Sequence, residues 1–426
     1  MNLLVVGGGG REHAIIKKLK ENQKVNTIYA IPGNGGIAED AVCISEIGAK
    51  EIDKIVKFAK EHAIDFAVVA PDDPLALGCV DRLHEIGIPC FGPDAKAAQI
   101  EASKVFAKNL MKKYHIPTAE YEVFDTQEKA LEYVSQKDFP IVIKADGLAL
   151  GKGVLIVKNE IEAQDAVKMI MEDKAFGESG NQIVIEEFLT GPEVSVLAFT
   201  DGTTIMPMIS SMDHKRVGDG DTGLNTGGMG TIAPNPYYTE EIAKVCMETI
   251  FQPTLEAMRQ EGCPFKGCLY FGLMLTPNGP KVIEYNCRFG DPETQVVLPL
   301  LKTDLLTIMQ AVENETLSEL NVEWKNEAAA CVVLASGGYP VQYESGKEIS
   351  IPEKLEDQVY IYHAGDAKKD GKLVTSGGRV LGVTAVAETL AKALGEAYRT
   401  AENISFEGKY MRHDIGKKAL EKAEVA

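Results

Sequence analysis

Short apolar runs alternate with longer stretches in which apolar residues recur every three or four positions, and this rhythm sets the predicted elements. In the first hundred residues, strands are expected at 3–6, 27–31, 66–70 and 88–91, with helices between them near 11–21, 51–62 and 74–86. Strand and helix alternating at this spacing predict a parallel, doubly wound sheet, because a parallel pair needs a crossover connection. Its ligand edge lies at the strands' carboxyl ends, where residues 7–11, 32–36 and Pro71-Asp72-Asp73 cluster. A helix follows at 103–117 with Ser103 as its cap. Residues 118–190 read β-α-β-β-α-β, with strands at 119–123, 141–145, 153–157 and 183–188 and helices at 127–136 and 160–173. Strands return at 194–200 and 204–208, ahead of a glycine-rich segment, 213–231, whose polarity argues against a place in the core. A helix near 239–260 and strands at 268–275 and 281–286 complete the centre. After Trp324 come strands at 328–335, 360–364, 372–375 and 378–384 and a helix at 386–402, the pattern of a separate C-terminal α+β domain.

Composition narrows the class. A chain of 426 residues that is 45% hydrophobic and 25% charged has the make-up of a globular protein of several domains. Its net charge of −19 argues against a nucleic-acid or anionic-membrane binder, which needs clustered Lys and Arg. The eight cysteines form no C-x-x-C pair, so reduced thiols are expected. The chain opens as a strand running into glycine, without a basic flank or cleavage site, and no apolar run reaches the ~18 residues of a membrane helix. A cytoplasmic protein with no nucleic-acid or membrane partner, and a monomer, is the expectation.

The segment 281–295 changes the picture from class to chemistry. On a strand, alternate residues share a face, so Glu284, Asn286 and Arg288 are expected to project together, with Val282, Ile283, Tyr285 and Cys287 anchoring the strand. Two hard oxygen ligands suit Mg²⁺, which completes its shell with water and phosphate, and a guanidinium grips a carboxylate or phosphate by its fork. The plain alternative is a solvated strand of alternating polarity. Near the N-terminus, Gly7-Gly-Gly-Gly-Arg-Glu-His13 follows a strand and opens a helix, where amides and the helix dipole receive a phosphate. The dinucleotide pattern G-x-G-x-x-G is broken at Glu12 or His13, and no acidic residue ends the second strand. A phosphorylated small molecule fits better than NAD; a bare strand-to-helix turn is the alternative.

Three further segments carry charge or glycine where a nucleotide site needs them. Lys144 ends a buried run and leads into Gly147, Gly151, Lys152 and Gly153, a set suited to a lid closing over a triphosphate, though not a Walker loop. Residues 183–196 pass from a buried strand through Gly191-Pro192 into another, a crossing where adenine pairs with backbone and where Glu193 can hold ribose hydroxyls. Asp213 and the stretch Gly228, Met229, Gly230, Thr231 bracket a loop whose amides can form an anion nest, and Asp213 beside Arg288 suits a zwitterionic amino acid. Each also has a bland reading, as a structural hairpin, surface charges or a disordered loop. The seven histidines show no zinc spacing.

The order of these segments resembles the ATP-grasp superfamily, and residues 7–13, 225–231 and above all Arg288-Phe-Gly-Asp-Pro-Glu-Thr-Gln295 resemble the phosphoribosylamine–glycine ligase family within it. The resemblance covers essentially the whole chain. It implies a multidomain α/β and α+β architecture: a pre-ATP-grasp αβ domain over 1–102 that binds phosphoribosylamine, an ATP-grasp domain over 103–325 with its mobile lid at about 118–190, and a C-terminal domain over 326–426. It implies joining of glycine to 5-phosphoribosylamine at the expense of ATP, with Mg²⁺ or Mn²⁺, through a glycyl phosphate. By the same resemblance Glu284 and Asn286 hold the metal, and Lys104, Lys144 and the loop Gly147, Gly151, Lys152, Gly153 face the ATP phosphates. Glu186, Glu187, Phe188 and Leu189 hold adenine and Glu193 the ribose. Asp213, Arg288 and the amides of Gly228, Met229, Gly230 and Thr231 hold glycine. Gly8, Gly9, Gly10 and Arg11, with Asp291 and Pro292, face phosphoribosylamine. A carboxylase of the same superfamily, a dinucleotide oxidoreductase and a non-catalytic nucleotide binder are the competing readings. Glycine-dependent ADP formation without bicarbonate, absence of NADH binding, and glycine-stimulated turnover separate them.

Overall fold

The computed structural model describes residues 1–148 and 153–425. The N-terminal part is a five-stranded parallel sheet, β1 (Asn2–Gly7), β2 (Thr27–Pro32), β3 (Val42–Cys43), β4 (Phe66–Val69) and β5 (Cys90–Phe91), in the order β3-β2-β1-β4-β5. The expected alternation is present because Leu3, Leu4, Val5 and Val6 are buried on both faces of the central strand, beneath helices Gly10–Leu19 and Ile52–Glu61. The helix expected over 74–86 is two, Asp72–Ala76 and Cys79–Glu85, separated at Gly78, whose φ of +82° ends one and turns the chain into the next.

Residues 118–190 match their expected pattern. Strands β6 (Tyr121–Phe124), β7 (Ile141–Ala145), β8 (Val154–Val157) and β9 (Ile183–Glu187) form an antiparallel sheet in the order β6-β9-β7-β8, covered by helices Gln127–Val134 and Glu160–Met171. Its small core includes Ile143, Val157, Val167, Ile170 and Ile185. The expected lid residues Gly151 and Lys152 lie outside the described residues.

The middle of the chain contributes β10 (Glu193–Asp201), β11 (Ile205–Pro207), β12 (Met212–Asp213), β13 (Arg216–Gly218), β14 (Thr222–Asn225), β15 (Gly230–Ala233), β16 (Lys266–Thr276) and β17 (Gly279–Asn286). Strands β11-β10-β16-β17 form one sheet; β13 and β14 form a hairpin. The last part adds β18 (Ala328–Ala335), β19 (Val359–His363), β20 (Asp366–Lys369), β21 (Lys372–Thr375) and β22 (Arg379–Ala387), packed against helix Leu390–Asn403.

The C-terminal sheet runs β12-β15-β18-β22-β19, so its first two strands come from the glycine-rich segment. This corrects the expectation at the far end of 213–231, where Met229 and Thr231 are fully buried and β15 pairs with β12 on one side and β18 on the other, while 216–227 is half-buried or exposed as expected. Small polar residues fit such a strand because its ladder satisfies the backbone. Helix Leu305–Glu313 and the C-terminal helix Lys417–Val425 have no counterpart among the expected elements. Among the described residues no helix is long and apolar enough to cross a membrane.

Candidate active site

The site lies where the β10–β17 sheet, the lid and the buried β12–β15 segment meet. A β-bulge in the β16–β17 pair, where Leu273 faces Val282 but Gly272 faces Glu284, inserts Ile283. Val282 and Tyr285 are therefore core residues three positions apart, while Ile283 and Glu284 both turn to the site. The strict alternation expected for this strand is corrected at Ile283, which lines the cavity instead of anchoring the strand.

That cavity, about 250 Å³ including its mouth, is lined by Glu193, Ser195, Asp213, Lys215, Tyr270 and Ile283, among others. Lys215 Nζ lies 3.3 Å from Glu284 Oε1 and 3.9 Å from Glu193 Oε2. Lys215, with Lys144 and Lys104 behind it, holds the Glu284 carboxyl down at about 2 against the cost of its burial, so it is ionised at any working pH. Asp213 behaves oppositely. Burial, and next the nearby Glu293, push its carboxyl well above the usual carboxylate range. A cationic ligand would pull it back down.

Two lysines close the lid side. Lys104 opens helix Lys104–Lys113, whose cap Ser103 accepts from Phe106 N, and its Nζ donates to Gly147 O at 2.8 Å. Ser103 Oγ in turn donates to Asp146, tying the helix start to the lid loop. Lys144, at the end of β7, donates to Ile283 O at 3.2 Å and lies 3.0 Å from Glu186 Oε2. Glu186 is 5% exposed and also meets Lys108 at 3.3 Å, so this hinge residue balances a buried pair of lysines. Glu187 pairs with Lys281 at 3.0 Å and its N donates to Glu120 O, which leaves Phe188 and Leu189 beyond the end of β9.

Arg288 is not the isolated clamp that alternation implied. It lies past the end of β17, where Nη2 donates to Glu101 Oε1 at 2.8 Å and Nη1 to Phe289 O. Its buried Nε has no hydrogen-bond partner among the described residues, which leaves a donor for a ligand oxygen. Glu101 also accepts from Cys287 N at 2.8 Å and from Asn286 Nδ2 at 3.2 Å. Because Asn286 Nδ2 is so engaged, and also donates to Tyr285 O, the amide oxygen is the end left for a cation. An ionised carboxylate and an amide oxygen fit Mg²⁺ or Mn²⁺. Among the described residues no three His, Cys, Asp or Glu side chains come together to hold a metal, so phosphate and water would supply the other ligands.

The glycine-rich segments are more committed than their composition implied. Gly228 N donates to Thr226 Oγ1 at 3.0 Å and Met229 N to His214 O at 2.8 Å, and Gly230 and Thr231 sit in the β15 ladder, so the protein's own acceptors take up amides expected to form a nest over 228–231. There Gly228 has φ +121°, and a Cβ would stand 2.4 Å from Pro292 Cδ and 2.6 Å from Asp213 Oδ1. At the N-terminal turn, Gly9 N donates to Glu12 Oε2 at 2.7 Å and Arg11 N to Asp291 Oδ2 at 3.4 Å. The anion cradle expected over Gly8, Gly9, Gly10 and Arg11 is thus smaller, with Glu12 filling part of it. Asp291 is shared: Gln295 Nε2 donates to it at 2.8 Å, and Arg379 of the C-terminal part donates to Asp291 O, Gly227 O and Gly228 O. Arg11 and Arg379 help keep the Asp291 carboxyl below its ordinary range despite burial.

The structure therefore brings Glu284, Lys104 and Lys144 together, and gives Asp213 and Arg288 a common electrostatic neighbour in Glu293. Glu101, Lys108, Lys215, Glu293 and Arg379 were missed by sequence reasoning. Lys215 stood in the Asp213-His-Lys-Arg216 run and Glu293 in the 288–295 motif; both had a local signal.

Family models for the phosphoribosylglycinamide synthetase N domain, ATP-grasp (A) domain and C domain match residues 1–101, 102–294 and 329–418. A phosphoribosylamine–glycine ligase of Caldanaerobacter subterraneus is 49% identical over 97% of this chain and 99% of that protein. The chain belongs to the phosphoribosylglycinamide synthetase family. A trifunctional purine biosynthetic protein of Homo sapiens carries the family's sequence as part of a longer protein: it is 47% identical over 98% of this chain, which spans 42% of that protein's length. The solved phosphoribosylamine–glycine ligase of Thermotoga maritima superposes with a TM-score of 0.86 at 37% identity, covering 97% of this chain and all of that one. A biotin carboxylase domain from Hydrogenobacter thermophilus shares the fold alone, with a TM-score of 0.74 at 16% identity over 96% of this chain and 91% of its own.

Proposed function

We infer that this chain is an ATP-dependent ligase that joins glycine to 5-phosphoribosylamine, giving glycinamide ribonucleotide, ADP and phosphate, in purine biosynthesis. The observation that carries the reading is an ionised Glu284 with Lys215, Lys144 and Lys104 around it, beside a cavity that Lys215 and the buried carboxyl of Asp213 line. Full-length similarity to named ligases supports it. We take 1–102, 103–325 and 326–426 as the segments of a cytoplasmic monomer, the third completed by strands β12 and β15 of the second.

Lys104 and Lys144 are placed to neutralise the phosphates of ATP, while Phe188, Leu189 and the backbone at the end of β9 face the adenine and Glu193 the ribose. Glu186 pairs with Lys108 and Lys144 and holds them in place. Glu284 and Asn286 would hold Mg²⁺ or Mn²⁺, which supplies charge neutralisation at the transferring phosphoryl group. Asp213 takes the ammonium of glycine, a contact that favours the ionised form of a carboxyl that burial pushes up. Arg288, oriented by Glu101, offers its remaining donor to the glycine carboxylate. A carboxylate oxygen of glycine attacks the γ-phosphorus and ADP leaves. The phosphoribosylamine nitrogen, presented by the turn at Gly8, Gly9, Gly10 and Arg11 with Asp291 and Pro292, then attacks the glycyl carbonyl. The carbon–oxygen bond to phosphate breaks and the nitrogen gives up its proton. Positioning and charge neutralisation do most of this work, in keeping with a site built from lysines and carboxylates.

The test is phosphate release with ATP, glycine and freshly generated phosphoribosylamine, each omitted in turn. Turnover is expected only with all three and without bicarbonate. Release that ignores glycine would overturn the reading.

A further inference from the structure

The hairpin β13–β14 follows directly after Asp213 and Lys215, and residues 410–418, almost two hundred positions later, hold it at nearly every turn. Arg412 is only 1% exposed although it is an arginine near the end of the chain. Its Nη1 donates to Arg216 O at 3.0 Å and lies 3.0 Å from Asp221 Oδ1. Its Nε and Nη2 grip the two oxygens of Asp414 at 2.8 and 2.9 Å, a bidentate fork. Asp414 in turn accepts from Gly220 N at 2.8 Å. Around this centre, Tyr410 OH donates to Val217 O, His413 N to Asp219 Oδ1 and Lys418 Nζ to Asp221 Oδ2. Gly416 N donates to His214 Nε2 at 3.1 Å, while His214 Nδ1 pairs with Gly230 O at 3.0 Å. That pattern requires a neutral ring with its proton on Nδ1, and burial holds the His214 pKa down at about 4.

A buried guanidinium costs solvation that a merely structural contact recovers more cheaply with apolar groups. Here it is satisfied by a backbone carbonyl and two carboxylates, and the segment it fixes carries both side chains that line the cavity from this side, Asp213 and Lys215. We propose that Arg412, with Asp414 and Tyr410, forms a clasp that positions Asp213 for glycine, making Arg412 a positioning residue of the amino-acid site. The proposal rests on the ligase reading and on Asp213 as the ammonium holder.

The test uses full-length Arg412→Met, Arg412→Lys and Tyr410→Phe, with Asp213→Asn as the control. Each is followed by steady-state phosphate release and by backbone amide exchange. Arg412→Met is expected to raise the glycine KM about tenfold or more while the ATP KM stays within about twofold, with Arg412→Lys between it and wild type. Amide exchange should quicken over 214–225 and stay unchanged over the lid strands. A glycine KM that does not move, or glycine and ATP KM values that rise together, overturns the clasp as a device of the glycine site. Should Arg412→Met not fold, Tyr410→Phe decides: a rise of about two- to threefold in glycine KM supports the proposal and no rise overturns it. If Asp213→Asn itself leaves the glycine KM unchanged, the glycine assignment fails instead. The clasp is then judged by exchange over 214–225 alone, where faster exchange supports it and unchanged exchange refutes it.

Discussion

Glu101 gathers three donors on one carboxylate: Arg288 Nη2 and Asn286 Nδ2 on Oε1, and Cys287 N on Oε2. Replacing it by Gln preserves the shape but puts an NH₂ group where an oxygen stood. Whichever way the amide turns, a donor then faces a donor. The change removes the charge from one charge-assisted bond, and it leaves at least one buried donor without an acceptor. These are worth roughly 1.5–3 and 1–3 kcal/mol, and the two partly overlap. Glu101 is 7% and Arg288 19% exposed by side chain, so screening weakens the pair only modestly. Burial pushes the Glu101 carboxyl up, with Arg288 and the Cys287 amide pulling it back, which trims the net loss. A total of about 3 kcal/mol, or roughly a hundredfold in an equilibrium or a rate, is the expectation. Glu101→Gln is measured for glycine KM, ATP KM and kcat, together with its urea midpoint. If the carboxylate orients Arg288 and Asn286, kcat/KM for glycine falls about a hundredfold while the ATP KM changes little. A variant with wild-type glycine kinetics and an unchanged urea midpoint would refute both the pairing and the role given to Arg288.

Glu284→Gln is expected to lower kcat by about 10²–10³ with a near-native circular dichroism spectrum, since one charged ligand is lost at the transferring group; near-normal turnover at ordinary Mg²⁺ counts against the assignment. Lys108, almost fully buried and held by desolvation at about 8 rather than its ordinary 10.5, binds a proton more readily in the unfolded chain between those values. Stability of the wild type relative to Lys108→Met should therefore rise by up to about 3 kcal/mol from pH 8 to 10.5, and parallel urea titrations of the two would contradict it. Gly228→Ala places a methyl against Pro292 and Asp213 at positive φ, so a loss of about 2 kcal/mol or more, read as a lower urea midpoint, is expected together with a raised glycine KM; a neutral substitution would mean the turn is not packed as described.

Elements with strong local rhythm were legible in the sequence. Four of the five N-terminal strands, Ser103 as a cap and the six elements of 118–190 follow from alternation and cap chemistry that a few neighbouring residues carry; the two-residue β3 does not. The bulge at Ile283 was not legible, because an inserted residue leaves the sequence unchanged and shows only in the register with β16. The buried fate of 229–233 was hidden for a related reason: glycine and threonine acquire a core position only from their neighbours β12 and β18. In the site, the chemistry of Glu284, Asn286 and Lys144 was visible in residue type. Their partners were not. Glu101 meets Arg288 across 187 positions and Arg379 meets Gly227 across 152, and contacts at such separation leave no periodicity to read.

The strand pairing of the C-terminal sheet also bears on how this chain can be cut or fused. Its first two strands are lent by residues 212–233, and the strand next to them begins only at Ala328. A piece starting near 326 would keep β18 but strip it of β15, baring a row of unpaired amides and carbonyls along a wholly apolar strand. Such an edge recruits other chains. The tail is thus a grafted limb without an independent existence, and a fusion partner is better joined outside the outermost residues than at the seam between the second and third segments.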